Sequence, residues 1–292
     1  MNYRTDLAIE CNEILKEQNT DIIDEETFSS NGVKITRIKV EDENFSKSFS
    51  KPVGTYITAQ IEPFTKNAEL FDGRLDVIAD EIASLLPKDG LVLVAGLGNV
   101  DVTPDAFGPK SMDYLFATRH ISKELSDEIG FDHIRPVAAV VPGVLGKTGI
   151  ETCEILGGIV NSVRPAAVIV VDALAARHLS RLGTTVQISN AGISPGSGVG
   201  NARKGINKDM LGVDVISIGV PTVVDARTLA RDIVGTDKDP SDDLSCSDSA
   251  PNIVTTSQID VLIERAAKLV AMAVNRALQP GISCEDLLSL VT

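Results

Sequence analysis

The sequence predicts an α/β protein of a single domain, with a parallel or mixed sheet covered by helices and extra strands near the N-terminus. Three short runs, LVLVAG, VAAVVPG and AAVIVVD, occur in the middle of the chain; they are apolar except for the final Asp of the third, and they are typical of buried strands. Stretches with the helical spacing of apolar residues separate these runs. Because such alternation is typical of a sheet buried on both faces, the three runs favour this fold class.

The first part of the chain precedes this alternation. A short helix is predicted over residues 5–18, with Thr5 or Asp6 as its cap. Strands are predicted over 32–40 and 53–61, and these are the extra N-terminal strands of the fold.

The alternating part contributes most of the predicted sheet. Its strands are predicted at 91–96, 137–143, 166–172, 184–189 and 213–219. Its helices are predicted at 68–86, 110–129, 149–163, 173–182, 225–234 and 257–278. Residues 235–256 are polar, acidic and contain proline, so a surface loop is predicted there. That loop is either a solvated connection or a lid or partner contact.

Charge and composition narrow the classes of function. The 292 residues include 27 Lys and Arg against 41 Asp and Glu, a net charge of −14. A surface of this sign repels nucleic-acid phosphates and anionic lipids, so neither nucleic acid nor a membrane is an expected partner. No stretch approaches the roughly 20 apolar residues of a membrane span, and no secretory signal is visible. The four cysteines are far apart, which favours a reducing, cytoplasmic compartment and argues against a structural zinc site.

Two aspartates lie where open α/β sheets bind ligands, at the carboxyl ends of strands. Asp105 lies in the Gly- and Pro-containing loop after the first apolar run, and Asp172 directly ends the third run. Each has an ordinary alternative role as a helix N-cap. Two carboxyls in one cleft can instead divide the roles of base and acid and activate water against a peptide bond. Asp105 and Asp172 are therefore the candidate catalytic residues.

The segment 188–205 contains five glycines, whose N–H groups could line a peptide backbone or an oxyanion. Its G-x-S-x-G pattern is not a nucleophile elbow, because the residue after the serine is Pro195, which has no N–H for the oxyanion hole. The candidate substrate-binding residues of this loop are Gly192, Ser194, Gly196, Ser197 and Gly198.

A nucleotide-binding loop is an alternative interpretation of residues 140–149. Residues 146–148 (GKT) read like the end of a phosphate-binding loop, and Asp172 like its magnesium-binding aspartate. Val141 stands where that motif requires glycine, and Pro142 lacks a donor beside the supposed phosphate. A tight strand–helix turn is the favoured interpretation.

Five segments together resemble the germination proteases of spore-forming bacteria, which degrade small acid-soluble spore proteins. The segments are RTDLAIE (4–10), GLGNVDVTPDAFGPK (96–110), PGVLGKTGIET (142–152), VVDALAARHLSRLGTTVQIS (170–189) and GISPGSGVGNARKG (192–205). The resemblance implies an atypical aspartic endopeptidase whose fold is similar to that of the hydrogenase maturation proteases. It assigns the two catalytic aspartates to Asp105 and Asp172, and it implies no cofactor and no metal.

The resemblance also implies a zymogen that removes a short N-terminal segment. In this chain the pro-segment would be residues 1–7, the autoprocessed bond would be Leu7–Ala8, and residues 8–292 would form the peptidase domain. Family substrate sites place an acidic and a large apolar residue before the bond, with Ala and a nearby acidic residue after it, and TDLAIE fits that description. A homotetramer in the cytoplasm of the spore or forespore is implied as well.

The chain departs from the family pattern in the glycine-rich loop. Asn190, Ala191 and Ser194 stand where better-known members have Asp, Thr and His. Without that histidine, a His-assisted mechanism or a nickel or zinc site is disfavoured. A metal-dependent relative of the hydrogenase maturation proteases and a nucleotide-binding protein remain the alternatives.

Overall fold

The computed structural model describes residues 5–17, 24–122, 126, 134–200, 203–234 and 252–292. Within these residues, nine strands form a single sheet. The strands are β1 (Asp24–Ser30), β2 (Val33–Val40), β3 (Gly54–Gln60), β4 (Val92–Gly96), β5 (Val137–Val140), β6 (Ala167–Ala176), β7 (Thr185–Ser189), β8 (Asp214–Asp225) and β9 (Ile253–Val254).

The sheet has a parallel half and an antiparallel half. Its order is β1-β2-β3-β7-β8-β6-β4-β5, with β9 paired to β8. Strands β8, β6, β4 and β5 are mutually parallel, whereas β1, β2, β3 and β7 pair in antiparallel fashion, and β7 is antiparallel to β8. Because β5 lies on one side of β4 and β6 on the other, the chain reverses its direction of winding at β4. Ligands of open α/β sheets bind at such a reversal.

Helices and short helical turns connect and cover the strands. The α-helices are Ala8–Glu17, Glu43–Phe49, Arg74–Leu85, Phe107–Met112, Leu145–Thr148, Thr152–Val163, Lys208–Leu211, Ala226–Val234, Ile259–Leu278 and Cys284–Val291. The 3₁₀ turns are Thr103–Asp105, Leu179–Arg181 and Ser197–Val199. In the described part of the chain, no helix is both long and apolar enough to cross a membrane.

Both faces of the parallel half are buried, as the apolar runs predict. On one face, Val94, Val171 and Ile218 join a large apolar cluster with the helices Arg74–Leu85 and Ile259–Leu278. On the other face, Ala95 and Val170 pack with the helix Thr152–Val163. Alternate residues of each strand thus point to opposite faces of the sheet. Because both faces are buried, the strands are apolar throughout.

The prediction of a mixed α/β sheet with extra N-terminal strands is confirmed, and the predicted strands are found in place. The helix predicted over 173–182 is wrong. Strand β6 continues to Ala176 instead, followed only by a 3₁₀ turn, because β8 also continues and pairs with it as far as Ala176↔Val224. Pairing and burial override the helical preference of the alanines and leucine at 173–176.

Three further helices and one loop differ from their predicted bounds. The helix predicted over 68–86 begins only at Arg74. The helix predicted over 110–129 is a short helix, Phe107–Met112, and residues 113–122 are not helical; most of the remainder lies outside the described residues. The helix predicted over 5–18 begins at Ala8, after an extended Thr5–Leu7. The loop predicted over 235–256 lies outside the described residues up to 251, and its end forms β9. Strand β1 and the helices Glu43–Phe49 and Cys284–Val291 were not predicted.

Candidate active site

Strand β6 extends beyond the strand beside it. The last pair between β4 and β6 is Gly96↔Val171, after which the chain of β4 turns away. In the part of the chain that the structure describes, no strand therefore pairs with residues 172–176 of β6 on the β4 side. We call these five residues the β6 overhang, and they border the cavity described below.

Asp105 enters this cavity from the loop after β4. It ends the 3₁₀ turn Thr103–Asp105, and its Oδ2 accepts a 2.8 Å hydrogen bond from the N–H of Asn99. The alternative role as a helix cap is wrong, since the helix Phe107–Met112 has no side-chain cap. Gly98 permits the approach of the loop: its φ is +114°, and a Cβ there would lie 2.0 Å from the Asp105 carbonyl oxygen. Burial raises the pKa of the Asp105 carboxyl, and the Asn99 N–H opposes that rise.

Asp172 is more deeply enclosed, with only 5% of its surface exposed. It lies within β6 rather than at a helix start, so its alternative role as a cap is also wrong. Its Oδ1 accepts a 3.0 Å bond from the N–H of Ala173. Burial raises the pKa of Asp172 well above its ordinary value, and the negative charges of Asp105 and Asp6 raise it further.

One cavity of about 490 Å³ brings these carboxyls together. Asp6, Asp105 and Asp172 all line it. Arg203 is the one basic side chain among the described residues that line it, and the hydroxyl of Thr222 is fixed nearby by donating to the carbonyl of Pro104 at 2.7 Å. Two carboxyls from distant parts of the sequence thus share one crevice, as the positions of the strands predict; their catalytic role stays a prediction.

The overhang is bordered by carboxylates where a partner strand would lie. Successive N–H groups on this side belong to Ala173 and Ala175 of β6 and to Arg177, which directly follows the strand, because alternate residues of an extended chain face the same way. Ala175 donates to Asp6 Oδ2 at 2.9 Å, and Arg177 donates to Glu10 Oε2 at 2.7 Å. The N–H of Asp6 in turn donates to the Ala175 carbonyl at 2.8 Å, so the N-terminal segment pairs with the overhang.

The N-terminal segment is held firmly on both sides of the predicted cleavage bond. Leu7 and Ala8 are both fully buried, and Leu7 packs with Leu174 and Val224. The Ala8 N–H donates to Gln187 Oε1 at 2.6 Å. Neither Leu7 nor Ala8 lines the cavity, whereas Asp6 does. The geometry therefore brings the start of the TDLAIE segment, rather than the Leu7–Ala8 bond itself, next to Asp105 and Asp172.

The predicted substrate-binding loop divides between two cavities. Gly196 lines the cavity of the aspartates. Gly192, Ser194 and Ser197 line a neighbouring polar cavity of about 350 Å³. Of the described residues, Asp6 and Leu174 alone line both cavities. Gly198 packs against the Asp6 side chain, where a Cβ would lie 2.2 Å from Oδ2. Asp6 thus stands between the two cavities.

The geometry favours neither alternative interpretation. Among the residues that the structure describes, no group of three or more His, Cys, Asp or Glu side chains is arranged to hold a metal ion. Residues 145–148 form a single short helical turn that ends at Gly149, and Lys147 forms an ion pair with Asp101. The Thr148 hydroxyl donates to backbone carbonyls of its own turn rather than facing a phosphate site.

Among the charged residues that line the cavity, the sequence analysis did not identify Asp6, Glu151 or Arg203 as site residues. Asp6 was considered only as a cap or as part of a cleavage motif, although its side chain lies in the cavity. Arg203 gave no signal beyond its place in a glycine-rich loop. The long-range pairing of residues 5–7 with β6 brings Asp6 to the site, and no local pattern encodes that pairing.

Known proteins resemble this chain over most of its length. Residues 5–236 match the family model described as germination protease. The germination protease of Caldanaerobacter subterraneus subsp. tengcongensis is 43% identical, over 100% of this chain and 98% of its own. That of Clostridium perfringens strain SM101 is 41% identical, over 98% of both chains. Among solved structures, the NiFe hydrogenase maturation protease HycI from Thermococcus kodakarensis KOD1 aligns with 66% of this chain and 98% of its own, at 15% identity and a TM-score of 0.35.

Proposed function

The chain belongs to the germination protease family, and from that premise we propose that it is an aspartic-type endopeptidase that starts the degradation of small acid-soluble spore proteins during germination. The family assignment rests on the match over residues 5–236 and on full-length relatives above 40% identity. The observation that supports the catalytic type is that Asp105 and Asp172 line the same cavity.

We infer different roles for the two carboxyls from their surroundings. Asp172 is the more buried and faces the charges of Asp105 and Asp6, so its raised pKa favours the protonated form, which donates to the peptide carbonyl or the leaving amine. Burial raises the pKa of the half-buried Asp105 as well, but the Asn99 N–H favours its ionised form, so we assign Asp105 the role of the base that activates water. Since the two groups interact, they titrate as a pair.

The proposal includes synthesis as a zymogen that cleaves itself at Leu7–Ala8. Its support is that the segment before this bond occupies the overhang and that Asp6 lies in the cavity. While Asp6 remains there, a substrate cannot take the same place, and removal of residues 1–7 would vacate it. We place the enzyme in the cytoplasm of the forespore and spore, as a homotetramer that requires neither metal nor cofactor.

Mass spectrometry of the full-length chain, incubated at mildly acidic pH with a strong chelator, tests this function. We expect a new N-terminus at Ala8, and cleavage of a small acid-soluble spore protein by the product. Asp105→Asn and Asp172→Asn each remove an acid–base group, so we expect both reactions to slow by about 10²–10⁴-fold. Asp80→Asn, on the exposed side of the helix Arg74–Leu85, is the matched control and keeps full activity.

Three outcomes would contradict parts of this proposal. Normal cleavage by either Asp105→Asn or Asp172→Asn would exclude the carboxyl pair as the catalytic machinery. Loss of all cleavage in the chelator would favour the metal-dependent alternative. A new N-terminus at Leu7 would retain the endopeptidase but move the cut to the Asp6–Leu7 bond. Of Asp6, Leu7 and Ala8, Asp6 is the residue that lines the cavity.

A further inference from the structure

The structure assigns a carboxylate-binding seat to the β6 overhang, and we propose that in the processed enzyme this seat binds an acidic side chain of the substrate close to the scissile bond. The seat consists of the N–H of Ala175, the hydroxyl of Ser197 and the open space at the Cα of Gly198. The inference rests on the proposed function, because it concerns how that endopeptidase selects its substrates.

A carboxylate already occupies the seat in this structure. Asp6 Oδ2 accepts from the Ala175 N–H at 2.9 Å, and Asp6 Oδ1 accepts from the Ser197 hydroxyl at 2.7 Å. Each oxygen of the carboxylate thus has its own donor. Hydrogen bonds to an ionised acceptor are about twice as strong as those between neutral groups, so these donors favour a carboxylate over an amide.

The shape of the seat also fits a carboxylate, because Gly198 leaves room for it. A Cβ on Gly198 would lie 2.2 Å from Asp6 Oδ2 and 2.7 Å from the Cβ of Ala175, so any side chain at 198 would fill the place of the carboxylate. Arg203 also lines the cavity of the aspartates, so the charge of that lining is not uniformly negative.

The seat lies at a suitable distance from the catalytic carboxyls. Ala175 and Asp172 are three residues apart on one strand, which corresponds to about 10 Å. An extended peptide advances about 3.3 Å per residue, so a side chain in the seat belongs to a residue within three positions of the bond beside Asp172. The backbone of such a peptide can pair with the Ala175 carbonyl, as Asp6 does now.

Processing frees this seat but not the carboxylate site next to it. Asp6 belongs to residues 1–7, which the proposed cleavage releases. Glu10, which accepts from the N–H groups of Arg177 and His178 at 2.7 and 3.0 Å, follows the cut and remains in place. The enzyme would therefore bind one acidic side chain of the substrate here. The N–H groups of Arg177 and His178 would remain bonded to Glu10 of the enzyme itself.

The test compares two peptides on the self-processed enzyme. One copies residues 2–13 of this chain and the other carries Asp6→Asn within that copy. We expect kcat/KM for the acidic peptide to exceed that for the amide peptide by at least 10-fold. Ser197→Ala removes one donor and should reduce that preference several-fold. Gly198→Ala should abolish the preference, and Gly157→Ala, at an open helical position, is the matched control.

The preference for acid over amide is the deciding readout, because a merely structural defect would lower both rates together. Equal cleavage of the two peptides by the wild type, or an unchanged preference in Ser197→Ala and Gly198→Ala, would overturn the seat while leaving the endopeptidase intact. Failure to cleave either peptide would count against the proposed function. In that case, fluorescence anisotropy of labelled peptides on the full-length Asp6→Ala chain decides the seat: we expect at least 10-fold tighter binding of the acidic peptide, and equal affinities would overturn it.

Discussion

At the scale of single residues, the site depends on a carboxyl that is kept away from water. Asp172 is 5% exposed and accepts one backbone N–H, and Asp105 and Asp6 add negative charge around it. A carboxyl in such surroundings resists ionisation, because burial and like charges both disfavour its charged form. The same property that suits Asp172 to hold a proton must make it a source of instability whenever it is ionised.

Replacing Asp172 should therefore change how stability depends on pH. The pKa of Asp172 is raised in the folded protein above its value of about 3.9 in unfolded chains. Between these two values the folded state binds more protons, so the free energy of unfolding falls as pH rises through this window. We expect Asp172→Asn to unfold at a higher temperature than the wild type at pH 7, and the difference to shrink towards pH 3. Calorimetry across this range measures it, with Asp80→Asn as the control; a difference that does not vary with pH would contradict the prediction.

At the scale of elements, local patterns predicted the interior strands well, because burial on both faces leaves a plain apolar signature. They failed where long-range pairing decides. Residues 173–182 read as a helix, yet β8 keeps β6 extended to Ala176. Likewise, the polar strand β1 (DEETFSS) has no apolar pattern of its own and exists because β2 pairs with it along seven residues.

Asp105 and Asp172 were predictable from strand ends, whereas Asp6 was not, since the docking of the N-terminal segment has no local signal.

The docking of the N-terminal segment depends on Leu7. Its side chain is fully buried against Leu174, Ala176 and Val224, so Leu7→Ala should weaken docking by about 2–5 kcal/mol. We expect the amide hydrogen of Ala175, now bonded to Asp6, to exchange faster in this variant. Hydrogen exchange with mass spectrometry checks this in the full-length protein, and Leu290→Ala, at a position 45% exposed, serves as the control. Unchanged exchange at Ala175 would show that Leu7 does not hold the segment.

At the scale of the whole molecule, one sheet joins two halves of different topology. The antiparallel half meets the parallel half through the pairing of β3 with β7 and of β7 with β8. Five residue pairs connect β3 to β7, and buried side chains of β3 and β7 such as Ile57 and Ile188 belong to the same cluster as the core of the parallel half. A continuous sheet with a shared core should behave as one cooperative unit.

Tyrosine fluorescence can test this cooperativity, because the chain has no tryptophan and three tyrosines. Tyr56 lies in β3 of the antiparallel half, and Tyr114 follows the helix Phe107–Met112 beside the parallel half. We expect Tyr56→Phe and Tyr114→Phe each to show a thermal midpoint by fluorescence that coincides with its midpoint by circular dichroism. Separate midpoints for the two halves would contradict a single unit.

The overhang of β6 has a consequence for how the protein can change over generations. Its donor at Ala175, like that of the adjacent Arg177, belongs to the main chain, so among replacements at these positions only proline deletes the N–H. A main-chain donor therefore persists through side-chain substitutions that would remove a side-chain donor. The main-chain part of this carboxylate site is therefore inherited with the strand itself, whereas the part supplied by Ser197 and Gly198 lasts only while those two residues are kept.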